Sequence, residues 1–219
     1  MGQSKKKPAP RRHDQATEQR ILDAAHAVFV RRGTAGARMQ EIAAEAGANQ
    51  ALLHYYFRTK DRLAQAAFER AASQLLPAVI QVLASDLALD AKVTRVIELE
   101  LDYLSRAPYL PGYIIGELTH HPERARQLIS AVTGQAPEDI RPRVLATLRK
   151  QIGALVKRRA MRPIAPEQFI VNLMALCIFP FAARPMLAAL LGMDQPAFEQ
   201  FIARRRQDLP VFFLGALRP

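Results

Sequence analysis

The sequence predicts an all-α protein, and three observations carry that expectation. Long stretches rich in Ala, Leu, Arg, Glu and Gln place their apolar residues three and four apart. Alternating runs of β-branched residues are scarce. Pro108, Pro111, Pro122, Pro137 and Pro163 fall at the junctions between the amphipathic stretches. With 219 residues, half of them apolar, the chain is long enough for a small domain followed by a larger one.

Residues 1–14 form a basic arm in which Lys5, Lys6, Lys7, Arg11 and Arg12 surround Pro8 and Pro10. Two readings of it stand: an arm that follows phosphates or enters a minor groove, and a solvated extended tail. The first helix is expected from Thr17 to about Arg32, with Ile21, Leu22, Ala25, Val28 and Phe29 inward. Thr17 is placed as its N-cap, Glu18 in the first turn suits the helix dipole, and Gly33 closes it.

Met39 to Lys60 is the most informative stretch. Ile42, Ala43 and Ala46 give a short helix an apolar edge. Gly47 stands where the chain must take a positive φ, and Asn49 is a good N-cap for the next helix. Leu53 and Phe57, four apart, turn that second helix inward, and Ala43 is small where the two helices cross. These features specify a helix-turn-helix over residues 15–62, whose second helix would lie in a DNA major groove. Gln50, His54 and Tyr55 lie off the Leu53/Phe57 stripe and need another partner. A fourth helix starts near Thr59 and runs through Leu63, Ala67, Ala71 and Leu75 toward Ala84. Pro77 either kinks it or ends it.

These residues resemble the TetR family of transcriptional regulators over about the first 65 positions. The likeness runs from Thr17-Glu18, Arg20-Ile21-Leu22 and Ala24-Ala25, through Phe29 and Gly33, to Ile42-Ala43, Ala46-Gly47, Leu53, Tyr56-Phe57 and Lys60. Three positions depart from it. Arg38 stands where members usually place a capping Ser or Thr, Ala51 replaces a frequent Gly, and His54 replaces a frequent Tyr. The expected DNA contacts are Arg38, Asn49, Gln50, Ala51, Leu52, His54, Tyr55, Tyr56 and Lys60. Gln50 can bond an adenine edge bidentately, Ala51 or Leu52 can touch a thymine methyl, and His54 can donate or accept. Tyr55 or Tyr56 hydroxyls would fix the register on phosphates, and the resemblance places Lys60 there as well.

Beyond residue 62 the expectation is a helical bundle with helices at 90–106, 109–119, 122–132, 138–159, 166–190 and 194–216. The resemblance implies that residues 63–219 receive a small-molecule effector and form a homodimer through the last two long helices. Phe169–Leu191 is apolar on almost all sides and needs cover all round, either from its own core or from another chain. Phe198, Phe201, Ile202, Leu209, Phe212 and Phe213 add a second apolar stripe. Tyr103, Tyr109, Tyr113, Glu117 and His120 are candidate polar groups of a ligand pocket, with Met174 and Phe179 as walls. Adjacent His120 and His121 point about 100° apart on a helix and make a poor metal pair.

The net charge of +11 favours an anionic partner, and residues 1–60 are about three times more basic per residue than the rest. The single cysteine, Cys177, excludes an intramolecular disulfide and suits a reducing cytoplasm. It reads as a buried small hydrophobe, with redox sensing as the alternative. No apolar signal segment follows the basic start, and Asn172, Arg184 and two prolines interrupt the one membrane-like run. No catalytic constellation or phosphate-binding Gly-rich loop is present. The expectation is a cytoplasmic, non-enzymatic regulator of transcription: a dimeric repressor of a roughly palindromic double-stranded operator, released by an unknown effector, with no cofactor and no membrane partner. The alternative is an architectural DNA-binding protein or non-catalytic scaffold without effector response.

Overall fold

The computed structural model describes residues 12–120, 122 and 124–219, without the side chains of residues 12, 13, 117 and 120. The basic arm up to residue 11, the side chains of Glu117 and His120, and residue His121 therefore lie outside the described residues. The described elements are all helices: α1 (Arg12–Gly36), α2 (Met39–Glu45), α3 (Gln50–Phe57), α4 (Lys60–Ala84), α5 (Leu89–Arg106), α6 (Leu110–His120), α7 (Arg124–Thr133), α8 (Pro137–Lys157), α9 (Pro166–Ala182), α10 (Arg184–Leu191) and α11 (Gln195–Ala216). The chain divides into two compact units between Ala67 and Phe68, a boundary that falls within α4.

In the first unit α1 begins earlier than expected. Thr17 lies inside the helix and is buried, so it does not cap it. Asp14 supplies the acidic group of the first turn, where it suits the dipole. The helical path breaks at Gly33, whose φ of 67° closes the helix where the sequence places its end. Ile21, Val28 and Phe29 of α1, Ile42 of α2, Leu53 of α3 and Leu63 of α4 are each no more than 1% exposed. Burial of side chains this size is worth about 1.5–3 kcal/mol each, which makes these residues the core of the unit.

In the second unit α5 lies at the centre, packed against α8, α9 and α11. Its inward stripe contains Leu89, Val93, Val96, Ile97, Leu101 and Leu104, and also Lys92 and Glu100. Lys92 is fully buried and its Nζ donates to the Leu83 carbonyl at 2.8 Å. That carbonyl belongs to the last turn of α4, which has no helical donor of its own, so the ammonium caps the helix end. Edge-to-face ring pairs close the core on α11: Phe169–Phe213 at 5.2 Å and Phe181–Phe198 at 5.6 Å.

Prolines take four kinds of place in this unit. Pro108, Pro122 and Pro163 lie in junctions, whereas Pro111 and Pro137 sit in the first turn of α6 and α8, where a missing N–H costs little. α4 continues through Pro77, so the helix does not end there. The helix expected over 166–190 is two helices, α9 and α10, bent by 69°. Pro185 lacks the N–H that would continue the ladder, and its ring clashes with the carbonyl four residues back. Among the described residues, no single helix is long and apolar enough to cross a membrane.

α8 ends in a turn that glycine usually makes. Arg159 has φ 55°, while Arg159 N donates to Val156 O and Ala160 N to Leu155 O, both at 2.9 Å. This is a Schellman closure with a side chain in the left-handed region. Arg159→Gly is expected to raise stability by about 1 kcal/mol. The midpoint of urea unfolding, at unchanged slope, reads it directly.

Candidate functional site

The turn between α2 and α3 is built as the sequence requires. Gly47 has φ 57°, Gly47 N donates to Ala44 O at 3.1 Å, and Ala48 N donates to Ala43 O at 2.9 Å. Open space surrounds the position where a Gly47 Cβ would lie, so the glycine is there for its φ and not for close packing. Asn49 then caps α3, its Oδ1 accepting from Leu52 N at 2.7 Å. The cap missing in the sequence is missing in the structure too: Arg38 precedes α2 with no side-chain capping bond.

α3 has two unlike faces. Leu53 and Phe57 are buried, whereas Asn49, Gln50, Ala51, His54 and Tyr55 are exposed and Leu52 is half-buried. Tyr55 is 77% exposed, its ring set edge-to-face against that of Tyr56 at 5.3 Å. The exposed His54 ring is tethered at one nitrogen, its Nδ1 lying 2.9 Å from the Arg58 carbonyl.

Tyr56 and Lys60 differ from this set. The Tyr56 hydroxyl donates to Asp14 Oδ1 at 3.3 Å, and burial with the nearby carboxylate pushes its pKa up. Lys60 Nζ donates to the carbonyls of Ala35 and Ala37 at 3.1 and 3.3 Å, tying the start of α4 to the end of α1 and the residue just beyond it. Both side chains therefore hold the unit together. Any phosphate contact they make adds to, or competes with, that role.

Sequence reasoning missed the fastening of α1 to α2. Arg31 pairs with Glu45 at 2.6 Å and Arg32 with Glu41 at 3.5 Å. The signal was available, since adjacent arginines at the end of one helix meet carboxylates four apart on the next. These pairs are exposed and are worth little singly. They do occupy two of the cations that the charge surplus offered to an anion.

In the second unit, two candidate ligand residues, Tyr103 and Tyr109, lie within electrostatic reach of each other and of Arg70, and the Tyr113 ring lies 5.1 Å from that of Phe68. Burial pushes the phenols of Tyr103 and Tyr109 up, so both are neutral hydroxyls. Met174 is half-buried against the core. Phe179 is not brought to this group. It lies 54% exposed on the outer stripe of α9 that also carries Val171 and Ala175. Among the described residues, no three His, Cys, Asp or Glu side chains converge to hold a metal ion. Cys177 is fully buried, and burial pushes its thiol up, away from the reactive thiolate.

Known proteins share this architecture. The sequence model of the family described as "Bacterial regulatory proteins, tetR family" matches residues 21–67, which span most of α1 through the start of α4. The chain is 33% identical over 132 residues to the HTH-type transcriptional repressor SCO4008 of Streptomyces coelicolor, covering 57% of this chain and 67% of that one. It is 27% identical over 181 residues to the HTH-type transcriptional repressor NicS of Pseudomonas putida, covering 81% and 82%. The crystal structure of a TetR/AcrR-family regulator from Thermobifida fusca superposes with a TM-score of 0.58 at 13% identity, covering 93% of this chain and all of the other. The turn at Gly47, the capped α3 and these likenesses agree: the chain belongs to the tetR family of bacterial regulatory proteins.

Proposed function

We propose that the protein is a dimeric transcriptional repressor that reads a two-fold symmetric DNA operator with α3 and leaves it when a small molecule occupies the second unit. The observation that carries this reading is the divided surface of α3, buried at Leu53 and Phe57 and exposed at Gln50, Ala51, His54 and Tyr55. A helix that follows a tight turn and shows polar, aromatic and methyl groups outward has what a major groove recognises. The relatives named as repressors support the direction of regulation.

Dimerisation is supported by an apolar surface on the C-terminal helices. Val171 and Phe179 of α9 and Val211 and Phe212 of α11 are each more than half exposed. A groove of about 760 Å³ lies between these helices, lined by Ala175, Leu176, Phe212 and Phe213 among others. A second copy across a two-fold axis covers such a surface with its own equal. It also delivers two α3 helices to half-sites about 34 Å apart. The effector reading is supported by the neutral, partly buried Tyr103 and Tyr109 beside Arg70, a small polar set in apolar surroundings. Release then requires that the effector bind better to the conformation with weaker operator affinity.

Gln50 tests the DNA reading. Gln50→Ala should cost about 1–3 kcal/mol at one base pair and flatten the preference there, leaving other positions of the site unchanged. Binding to variant duplexes, followed by fluorescence anisotropy at fixed salt, measures it. An equal loss on every sequence would remove Gln50 from the base contacts. Operator affinity unchanged across a broad panel of metabolites would remove the effector from the account.

A further inference from the structure

Two local hydrogen bonds at the ends of α3 each use up one half of a side chain that otherwise both donates and accepts. At the N-terminal end, the Asn49 Oδ1 accepts from Leu52 N at 2.7 Å, which leaves the amide NH2 outside the capping bond. At the C-terminal end, His54 Nδ1 lies 2.9 Å from the Arg58 carbonyl oxygen. A carbonyl only accepts, so Nδ1 carries the proton. When the ring holds a single proton, that proton is therefore on Nδ1, and Nε2 is the acceptor.

The direction of that carbonyl is set by the turn and not by the helix. Arg58 has φ 58° and ψ −49°, and Thr59 N donates to Phe57 O at 2.6 Å across it, a three-residue γ-turn with positive φ. The turn aims the Arg58 carbonyl back along α3 at the ring of the residue four positions earlier. His54 is exposed and shares its face with Gln50, one helical turn before it. The free nitrogen therefore belongs to the same outward surface as the Gln50 amide, which makes no bond among the described ones.

We infer that His54 reads DNA as a hydrogen-bond acceptor: its Nε2 takes a proton donor from an exocyclic base amino group, adenine N6 or cytosine N4, and does not donate to guanine O6 or a purine N7. The inference deepens, and rests on, the assignment of α3 as the recognition helix. Geometry also fixes where the contact falls. Four residues of helix rise about 6 Å and base pairs stack about 3.4 Å apart, so the His54 pair lies one or two steps from the Gln50 pair.

Base-analogue duplexes test this with the full-length protein. In an operator obtained by selection, single bases are replaced by analogues that lack either the exocyclic amino group or N7. Binding of the wild type and of His54→Ala is then compared. At one base pair, one or two steps from the position relaxed by Gln50→Ala, deleting the amino group is expected to weaken the wild type roughly 5- to 100-fold and to leave His54→Ala unaffected. Deleting N7 there should act alike on both proteins. An N7 deletion that affects the wild type alone would overturn the inference, because a histidine that donates carries its proton on Nε2. So would the absence of any base atom whose loss depends on His54. If His54→Ala does not fold, His54→Leu, which fills much of the ring's volume without a hydrogen-bonding group, replaces it in the same comparison. Loss of sequence preference by the wild type itself would instead overturn the recognition-helix assignment, and the inference with it.

Discussion

Glu100→Gln is expected to make the protein about 3 kcal/mol more stable at pH 7. Glu100 lies on the inward stripe of α5, is 1% exposed, and has a carboxyl oxygen, Oε2, with no partner. Burial raises its pKa from 4.5 to about 8. The folded chain therefore holds a proton at pH 7 that the unfolded chain has released. A separation of about 2.5 pH units, at about 1.36 kcal/mol each, gives the size of the effect. The sign follows from the direction of the shift. The penalty is absent below about pH 4.5, grows as pH rises, and is complete above about pH 8. Glutamine keeps the shape of the protonated acid without its titration. Thermal melts of both proteins at pH 5 and pH 8 should show a gap in midpoint that widens with pH, by several degrees for a chain this long. A gap independent of pH would mean that Glu100 stays ionised in the core.

Phe212→Asp is expected to give a folded monomer with operator affinity reduced by at least about 100-fold. Phe212 is 64% exposed on α11, so its loss removes little packing within one chain. In a two-fold interface over this surface the substitution puts a carboxylate from each copy into largely apolar surroundings, where its desolvation opposes association. A monomer then engages one half-site at a time and loses the gain from binding both, commonly 10²–10⁴. Sedimentation gives the mass, and anisotropy on the full operator gives the affinity. A dimer that persists with unchanged affinity would place the interface elsewhere.

The reading head was the most legible part of the sequence because its signals are local. Gly47 at positive φ, Asn49 as cap, and Leu53 with Phe57 as the inward pair each depend on neighbours within a few residues, and all four appear as expected. The start of α1 was misjudged for the same reason: Thr17 is a plausible cap, but the helix already runs from Arg12. The bend at Pro185 was also local, yet the apolar run from Phe169 to Leu191 concealed it, since helical apolarity continues across the break. Lys92 and Glu100 were legible in principle, because both stand at core positions of the α5 stripe. In sequence alone a charge in such a stripe reads as a solvated edge until the opposing helices are known. The split roles of Lys60 and Tyr56 could not be read at all, since their partners lie 23–25 and 42 residues away. The sequence left His54 open as donor or acceptor for a different reason: its partner Arg58 is only four residues away, but an arginine does not signal a turn with positive φ. Only the fold of the Arg58 turn decides which nitrogen keeps the proton.

Selection of bound duplexes from a randomised pool, at physiological salt, tests the central claim most directly. A dimeric, sequence-specific regulator should enrich a two-fold symmetric site with half-sites about one helical turn apart, bound at least about 10³-fold more tightly than random duplex. Enrichment of no motif, or a ratio below about 10³, would contradict it and identify an architectural DNA-binding protein instead.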